Sequence, residues 1–187
     1  MTTVAPELDR RFRDAAAREH LLDVAFDLVD TPIGTLLVAA TERGLCRISY
    51  DAAPEHQLDS LAQTFGVRVL QSRRPIDAAR RQLDEYFDGK RHDFNLAVDL
   101  KLVADFHRRV LRELARVPYG QVVTYGELAA RTAQPRAARA VGMVMNRNPL
   151  PIVLPCHRVI GANGKLVGYA GGLERKETLL RLEGALL

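Results

Sequence analysis

The chain has 187 residues, 47% of them hydrophobic, a formal net charge of +4 and two cysteines, Cys46 and Cys156. That length suits one large domain or two small ones, and the apolar content excludes global disorder. No apolar run approaches the roughly 20 residues needed to span a bilayer, so no membrane partner is expected.

At the N-terminus, residues 1–7 carry neither a basic start nor an apolar stretch, so no secretory leader is expected. Two thiols 110 positions apart suit a reducing, cytoplasmic setting better than a disulfide framework. Without Cys-x-x-Cys or His-rich spacing, no metal site and no cofactor are expected. Leu8, Phe12, Ala15, Ala16 and Glu19 follow helical spacing and predict an appended helix over residues 7–22. Residues 25–50 read as strands, with a hairpin of 36–40 and 45–50 around the Gly-containing turn 41–44. Cys46 falls inside its second strand as a core thiol. Helices are predicted over 54–65, with Leu58, Leu61 and Phe65 on one face, and over 75–87, with Ile76, Ala79, Leu83 and Tyr86/Phe87 as the apolar stripe. Residues 94–98 alternate as a strand. Around 99–103 the chain turns basic and helical, which places a boundary between an α/β domain, 1–100, and a second domain, 101–187.

The charge changes with it. Residues 1–104 hold 14 Lys and Arg against 17 Asp and Glu, whereas residues 105–187 hold 13 against 6. A basic half reads as a nucleic-acid surface or as a solvated face. Residues 104–117 predict a helix with Phe106, Val110, Leu111, Leu114 and Val117 inward, stopped by Pro118-Tyr119-Gly120. Thr124 is the expected N-cap of a short helix, 125–131. Pro135 suits the first position of the next helix, where a missing N–H costs nothing. Two short helices, the second opening Pro-Arg-Ala-Ala-Arg, read as a helix-turn-helix or as an ordinary helical hairpin. Ala137, Ala138, Ala140 and Gly142 leave the second helix smooth enough for close approach to a sugar-phosphate backbone in a minor groove about 6 Å wide. Arg139 is the long cation among them.

After the apolar run 150–154 comes Pro155-Cys156-His157-Arg158-Val159. A thiol reacts as its thiolate, which a neighbouring base or positive charge favours. By itself the pair reads either as such a site or as a small buried Cys beside a surface His. The wider string narrows this. In order stand Val117-Pro118-Tyr119-Gly120, Thr124-Tyr125-Gly126-Glu127-Leu128-Ala129, Arg136-Ala137-Ala138-Arg139-Ala140-Val141-Gly142, Asn148-Pro149, the cysteine segment, Tyr169-Ala170-Gly171-Gly172-Leu173, Lys176-Glu177 and Glu183-Gly184. From about residue 105 to 184 this resembles the O6-alkylguanine-DNA alkyltransferases, the methylated-DNA–protein-cysteine methyltransferases. The first hundred residues resemble them loosely, chiefly through Thr31-Pro32-Ile33-Gly34-Thr35.

The resemblance implies an α/β (α+β) fold: a small ribonuclease-H-like N-terminal domain, then a mostly helical DNA-binding and alkyl-transfer domain with a helix-turn-helix. It implies repair by direct reversal. An alkyl group passes from O6-alkylguanine, and from O4-alkylthymine, in flipped duplex bases to Cys156, once per chain. It implies His157 as a base acting through water, Glu183 as its orienter, Asn148 as the holder of the neighbouring turn, and Tyr125 as donor to guanine N3. Tyr169 would wall the alkyl group, and Val159 and Ala170 would line the guanine pocket by their backbone. Arg139 would fill the vacated stack, with Arg136, Ala137, Ala138 and Thr124 beside it on the DNA. Arg158 is expected as an ion-pair partner. The implied partner is double-stranded DNA bound through the minor groove by a monomer, with cooperative assembly on DNA left open. Three positions depart from the family pattern: Ala170 replaces a serine found in some members, and His107 and Leu111 stand where Gln and Trp are frequent. A lesion-binding module would have no use for Cys156, and a cysteine hydrolase would turn over.

Overall fold

The computed structural model describes residues 5–50 and 54–185; residues 1–4, part of the stretch read for a leader, lie outside them. The mixed α and β architecture is the expected one. Two compact units are formed, Met1–Glu85 with Asn95–Asp99, and Tyr86–Phe94 with Leu100–Leu187. Among the described residues no helix is long and apolar enough to cross a membrane.

The first unit is built on a sheet. Its strands are β1 (Val24–Val29), β2 (Leu36–Thr41), β3 (Gly44–Ser49) and β4 (Val69–Gln71), in the order β3-β2-β1-β4. The first three run antiparallel to their neighbours, and β4 joins β1 in parallel. Alternation places Leu37 and Ala39 on one face, where they cluster with Val24, Phe26, Cys46 and Leu61. Leu61 belongs to α2 (Pro54–Phe65), whose Leu58 and Phe65 pack on the same cluster. Leu36, Val38 and Ala40 point to the opposite face and are equally buried. Cys46 is thus a core thiol, as expected. In α3 (Asp77–Phe87) the stripe residues Ala79, Leu83 and Tyr86 are buried, and Ile76 joins them from a preceding 3-10 turn.

Two expectations need correction here, and one strand had not been expected. The first helix, α1 (Pro6–Arg18), ends four residues early. The Leu21 N–H reaches the Ala16 carbonyl at 3.0 Å and the His20 N–H reaches that of Ala17, around a left-handed His20 at φ 55. This paired closure terminates a helix wherever one residue accepts positive φ. Residues 94–98 form no strand. Only Val98 bridges Leu45, because the Gln82 amide side chain takes both the N–H and the carbonyl of Asn95. Conversely, β4 carries no alternating apolar pattern, and nothing predicted it.

The second unit is mostly helical. Its helices are α4 (Asp105–Leu114), α5 (Tyr125–Arg131), α6 (Ala138–Asn146) and α7 (Leu173–Leu182). Val110, Leu111 and Leu114 are the buried face of α4, while Phe106, expected inward, is only half-buried. The helix stops at Leu114, and a tight turn with the Val117 N–H on the Leu114 carbonyl still carries Val117 into the core. At α5 the Thr124 cap is completed by Glu127: the Glu127 N–H donates to Thr124 Oγ1, and Glu127 Oε2 accepts from the Thr124 N–H at 2.7 Å. The second helix of the pair begins three residues later than the sequence suggests. Pro135 sits instead in a turn closed by the Ala137 N–H on the Gln134 carbonyl, 2.9 Å, after Ala133 at φ 59. Proline's fixed φ serves that turn as well as it serves a helix start. Two short strands, β5 (Val123–Thr124) and β6 (Val159–Ile160), pair in parallel and set the start of α5 beside the cysteine segment.

Gly44 tests the hairpin. At φ +132 its added Cβ would lie 2.3 Å from the Ala97 carbonyl oxygen, whereas Gly89, at φ +70, would meet nothing within 4 Å. Gly44→Ala should therefore cost well over about 1 kcal/mol, and clearly more than Gly89→Ala. Urea denaturation midpoints of the two variants check this; equal losses would mean that the segment at Ala97 yields freely.

Candidate active site

The cysteine segment is placed by a clamped turn. Asn148, just past α6, accepts the Leu150 N–H at 3.0 Å and donates its amide to the Leu154 carbonyl at 2.8 Å. The Leu154 N–H closes back on the Leu150 carbonyl at 2.8 Å. At the bend Ile152 is held at φ 76, a conformation that β-branched residues avoid. Cys156, His157 and Arg158 then form a single 3-10 turn and are all buried.

Around that turn lies a buried carboxylate. Glu183, immediately after α7, accepts from His157 Nε2 at 2.8 Å on Oε1. Arg158 grips both its oxygens, Nε on Oε2 at 2.8 Å and Nη2 on Oε1 at 2.9 Å. The Tyr86 hydroxyl donates to Oε1 at 2.7 Å and the Gly120 N–H to Oε2 at 3.3 Å. Arg158 also donates Nη1 to the Val117 carbonyl. It is an ion-pair partner, as the sequence suggested.

Electrostatics assigns the protons. Burial opposes the charge on Glu183, but hydrogen bonds and charges from His157 and Arg158 prevail and hold its pKa down at about 2. An ionised carboxylate only accepts, so His157 Nε2 carries the hydrogen. Burial lowers the His157 pKa despite Glu183 beside it, so the imidazole is neutral at neutral pH and its contact with Glu183 is a hydrogen bond rather than an ion pair. Its Nδ1 is then an acceptor, buried and without a hydrogen-bond partner among the described residues. Burial pushes the Cys156 thiol up to about 11, although the side chains of Asn148 and Tyr169 and the charge of Lys176 pull the other way. Cys156 is therefore a thiol at rest, followed in the chain by a neutral imidazole.

Further residues around the turn come from the two short strands and the following loop. Tyr125, half-buried at the start of α5, has its pKa raised by burial and by charge on Cys156. Its hydroxyl lies 3.4 Å from the Val167 carbonyl. Val159 is fully buried and its carbonyl accepts from Lys176 Nζ at 2.6 Å. Tyr169 is half-buried, and Ala170 is exposed. The sequence-derived residues Cys156, His157, Glu183, Asn148, Tyr125, Val159 and Tyr169 thus share one neighbourhood. Along the helix pair, Arg136 and Arg139 are exposed, Ala137 and Ala138 half-buried, and the Thr124 hydroxyl is occupied by Glu127 at 2.8 Å. Of the departures, Leu111 lies in the core and His107 is half-buried. Sequence reasoning assigned no site role to Tyr86 or Lys176. Tyr86 sat in an apolar stripe, yet a fully buried tyrosine needs a hydroxyl partner. Lys176, fully buried with Nζ on the Val159 and Val167 carbonyls, has its pKa lowered to about 8 by burial. Among the described residues no group of three or more His, Cys, Asp or Glu side chains could hold a metal ion.

The depressed Glu183 pKa carries a stability prediction. Unfolded, the carboxyl titrates near 4.5; folded, near 2. Its contribution, on the order of 3 kcal/mol, is present in full above about pH 4.5 and is lost as the pH falls through about 2. In Glu183→Gln the fall in urea stability over that window should be shallower by this contribution. An unaltered pH slope would show that other carboxyls carry the acid transition.

Comparison with known proteins gives the family. Residues 105–185 match the family model described as 6-O-methylguanine DNA methyltransferase, DNA binding domain, and residues 24–100 match its ribonuclease-like domain. A methylated-DNA–protein-cysteine methyltransferase of Methanosarcina barkeri is 42% identical over 165 residues, covering 84% of this chain and 96% of that protein. That of Mycolicibacterium paratuberculosis is 41% identical over 160 residues, covering 86% and 92%. The crystal structure of Mycobacterium tuberculosis OGT in complex with DNA superposes with a TM-score of 0.74 at 37% identity, covering 86% and 93%. The O6-methylguanine-DNA methyltransferase of Pyrococcus kodakaraensis gives 0.62 at 27% identity, covering 86% and 99%. With both family models matched and relatives aligned along most of its length, the chain belongs to the 6-O-methylguanine-DNA methyltransferase family.

Proposed function

We propose that this chain repairs DNA by direct reversal, moving the alkyl group of O6-alkylguanine onto its own Cys156. The observation that carries the residue assignment is the buried row Cys156, neutral His157 with a free Nδ1, and ionised Glu183. His157 Nδ1 takes the thiol proton, directly or through one water, while Glu183 stabilises the resulting imidazolium. Cys156 Sγ bonds to the alkyl carbon as the carbon–O6 bond breaks and its electron pair goes to the purine. The Tyr125 hydroxyl, donating to guanine N3, neutralises the departing charge. Asn148 holds the turn that presents the thiol, Tyr169 walls the alkyl group, and Val159 and Ala170 offer backbone to the base. A thioether is a poor leaving group, so the protein works once. O4-alkylthymine is the second substrate of the same chemistry.

Duplex DNA is met through the minor groove by α6 and the turn before it. Ala137 and Ala138 permit close approach, Arg136 and Thr124 meet the backbone, and Arg139 enters the stack left by the flipped base. Division between a supporting portion, 1–100, and a DNA-binding and transfer portion, 101–187, belongs to the same reading, as does action as a monomer in the cytoplasm, where both thiols stay reduced.

Incubation with DNA carrying a radiolabelled O6-methylguanine should leave one label per chain, on Cys156 by mass spectrometry, and Cys156→Ser should bind DNA yet take up none. Label on Cys46 would overturn the assignment. Repeated turnover would indicate a hydrolase, and binding without label a lesion sensor.

Arg139→Ala should separate flipping from chemistry. Extruding a base costs a few kcal/mol, which a side chain filling the vacated stack partly offsets. If Arg139 supplies about 2 kcal/mol, duplex repair slows roughly thirtyfold. A free alkylated guanine base needs no flipping, so its reaction rate should hold. Equal slowing of both would place Arg139 in support of the pocket instead.

A further inference from the structure

Tyr86 stands out among the groups that the transfer chemistry leaves unused. It is fully buried, and its hydroxyl meets Glu183 Oε1 at 2.7 Å. The ring is fixed by Phe87 at 5.3 Å, Phe94 at 5.4 Å and Tyr119 at 6.1 Å between centroids. The hydroxyl therefore has little freedom to turn elsewhere. Burial, then the charge of Glu183, raises its pKa far above the ordinary tyrosine value, so it remains an O–H donor at every working pH. Arg158 spans both carboxylate oxygens, but Tyr86 and His157 donate to the same one. With Arg158 Nη2, three donors share the charge of Oε1.

We propose that Tyr86 is a positioning residue for alkyl transfer: by sharing Glu183 Oε1 with His157, its hydroxyl sets how strongly that carboxylate holds the His157 proton. The inference rests on the reading of His157 and Glu183 as the relay that activates Cys156. Without the Tyr86 hydroxyl, the carboxylate keeps Arg158 and the Gly120 N–H but shares less of Oε1, so it would stabilise the imidazolium more and raise the pH at which the resting imidazole protonates. A base already protonated cannot take the thiol proton. Donation from Tyr86 keeps His157 neutral further into mild acid. The charged and titratable groups acting on His157 are Glu183, Arg158 and Lys176, and those acting on Tyr86 are Glu183, Arg158 and Tyr119. Removing one hydroxyl alters the balance at Oε1 while leaving every charge in place.

The test compares Tyr86→Phe with Tyr119→Phe, whose hydroxyl donates to the Leu182 carbonyl at 3.0 Å and not to the carboxylate. Two quantities are followed across about pH 5 to 9: the single-turnover rate of methyl transfer and the ¹⁵N imidazole NMR titration of His157 in unreacted protein. In Tyr86→Phe both the acid limb of the rate and the His157 titration should move up by about 0.5–1 pH unit, and in Tyr119→Phe neither should move. Should Tyr86→Phe fold poorly, 3-fluorotyrosine placed at position 86 alone is a stronger donor of the same shape, and both readings should move to lower pH. Unchanged titration and rate in a folded Tyr86→Phe protein, or equal shifts in both variants, would overturn the proposal. A shifted titration with an unshifted rate would overturn it differently, by removing His157 as the base.

Discussion

The second unit depends on keeping one carboxylate charged where no water reaches it. An unpaired buried charge costs several kcal/mol, and only a complete set of donors offsets that. Glu183 collects its set from distant parts of the chain: Tyr86, the turn at Gly120, the His157–Arg158 turn, and its own place at the end of α7. Moving any of these segments would strip a donor from a side chain that is 0% exposed. The same bonds that lower its charging cost therefore fix the geometry around Cys156. Arg158 extends the constraint through Nη1 to the Val117 carbonyl, in the turn that follows α4.

A second constraint acts on the other side of the thiol. Ile152 at φ 76 carries backbone strain of order 1–3 kcal/mol, which persists only where neighbours over-determine it. Here the neighbours are the paired hydrogen bonds of Asn148 and the burial of Leu150, Ile152 and Leu154. The strained bend brings the chain from the end of α6 to the cysteine turn in a few residues. Between the clamp at Asn148 and the grip of Glu183 on the next two residues, Cys156 has little freedom to move. A nucleophile that reacts once gains from this, since nothing later in a cycle requires the site to reopen.

Legibility in the sequence followed the range of the interaction. Thr124 announced its cap, and apolar runs on either side of a Gly-containing turn announced the hairpin, because both signals are local. Pro135 was ambiguous for a local reason too: its φ suits a helix start and a turn equally, and the closing Gln134–Ala137 bond decided. Residues 94–98 alternate like a strand, but the alternation says nothing about Gln82 taking the backbone of Asn95. The site was legible only through the family resemblance. No spacing rule links His157 to Glu183 across 26 residues, or Tyr86 to Glu183 across 97. Tyr86 was hidden by its own amphipathic character, since its ring satisfies an apolar stripe and its hydroxyl leaves no mark on the pattern.

The two cysteines show what environment adds to residue type. Burial drives Cys46 to about 12, helped by the charge of Asp99, and drives Cys156 to about 11 against Asn148, Lys176 and Tyr169. At neutral pH both are thiols, so the difference between them is not the amount of thiolate at rest. It lies in what stands ready to receive the proton. Cys46 is packed among Val24, Phe26, Leu37, Ala39 and Leu61, and the carboxylate that acts on it, Asp99, opposes its thiolate. Cys156 is followed by His157, whose imidazole is neutral, oriented by Glu183 and, among the described residues, unpartnered at Nδ1. On the proposed reading of His157 as the base, such a site withholds the thiolate until substrate and base are together. Thiolates are also what oxidants attack, so a resting thiol resists the loss of its only nucleophile. For a protein whose cysteine is spent in one reaction, that protection matters as much as the rate.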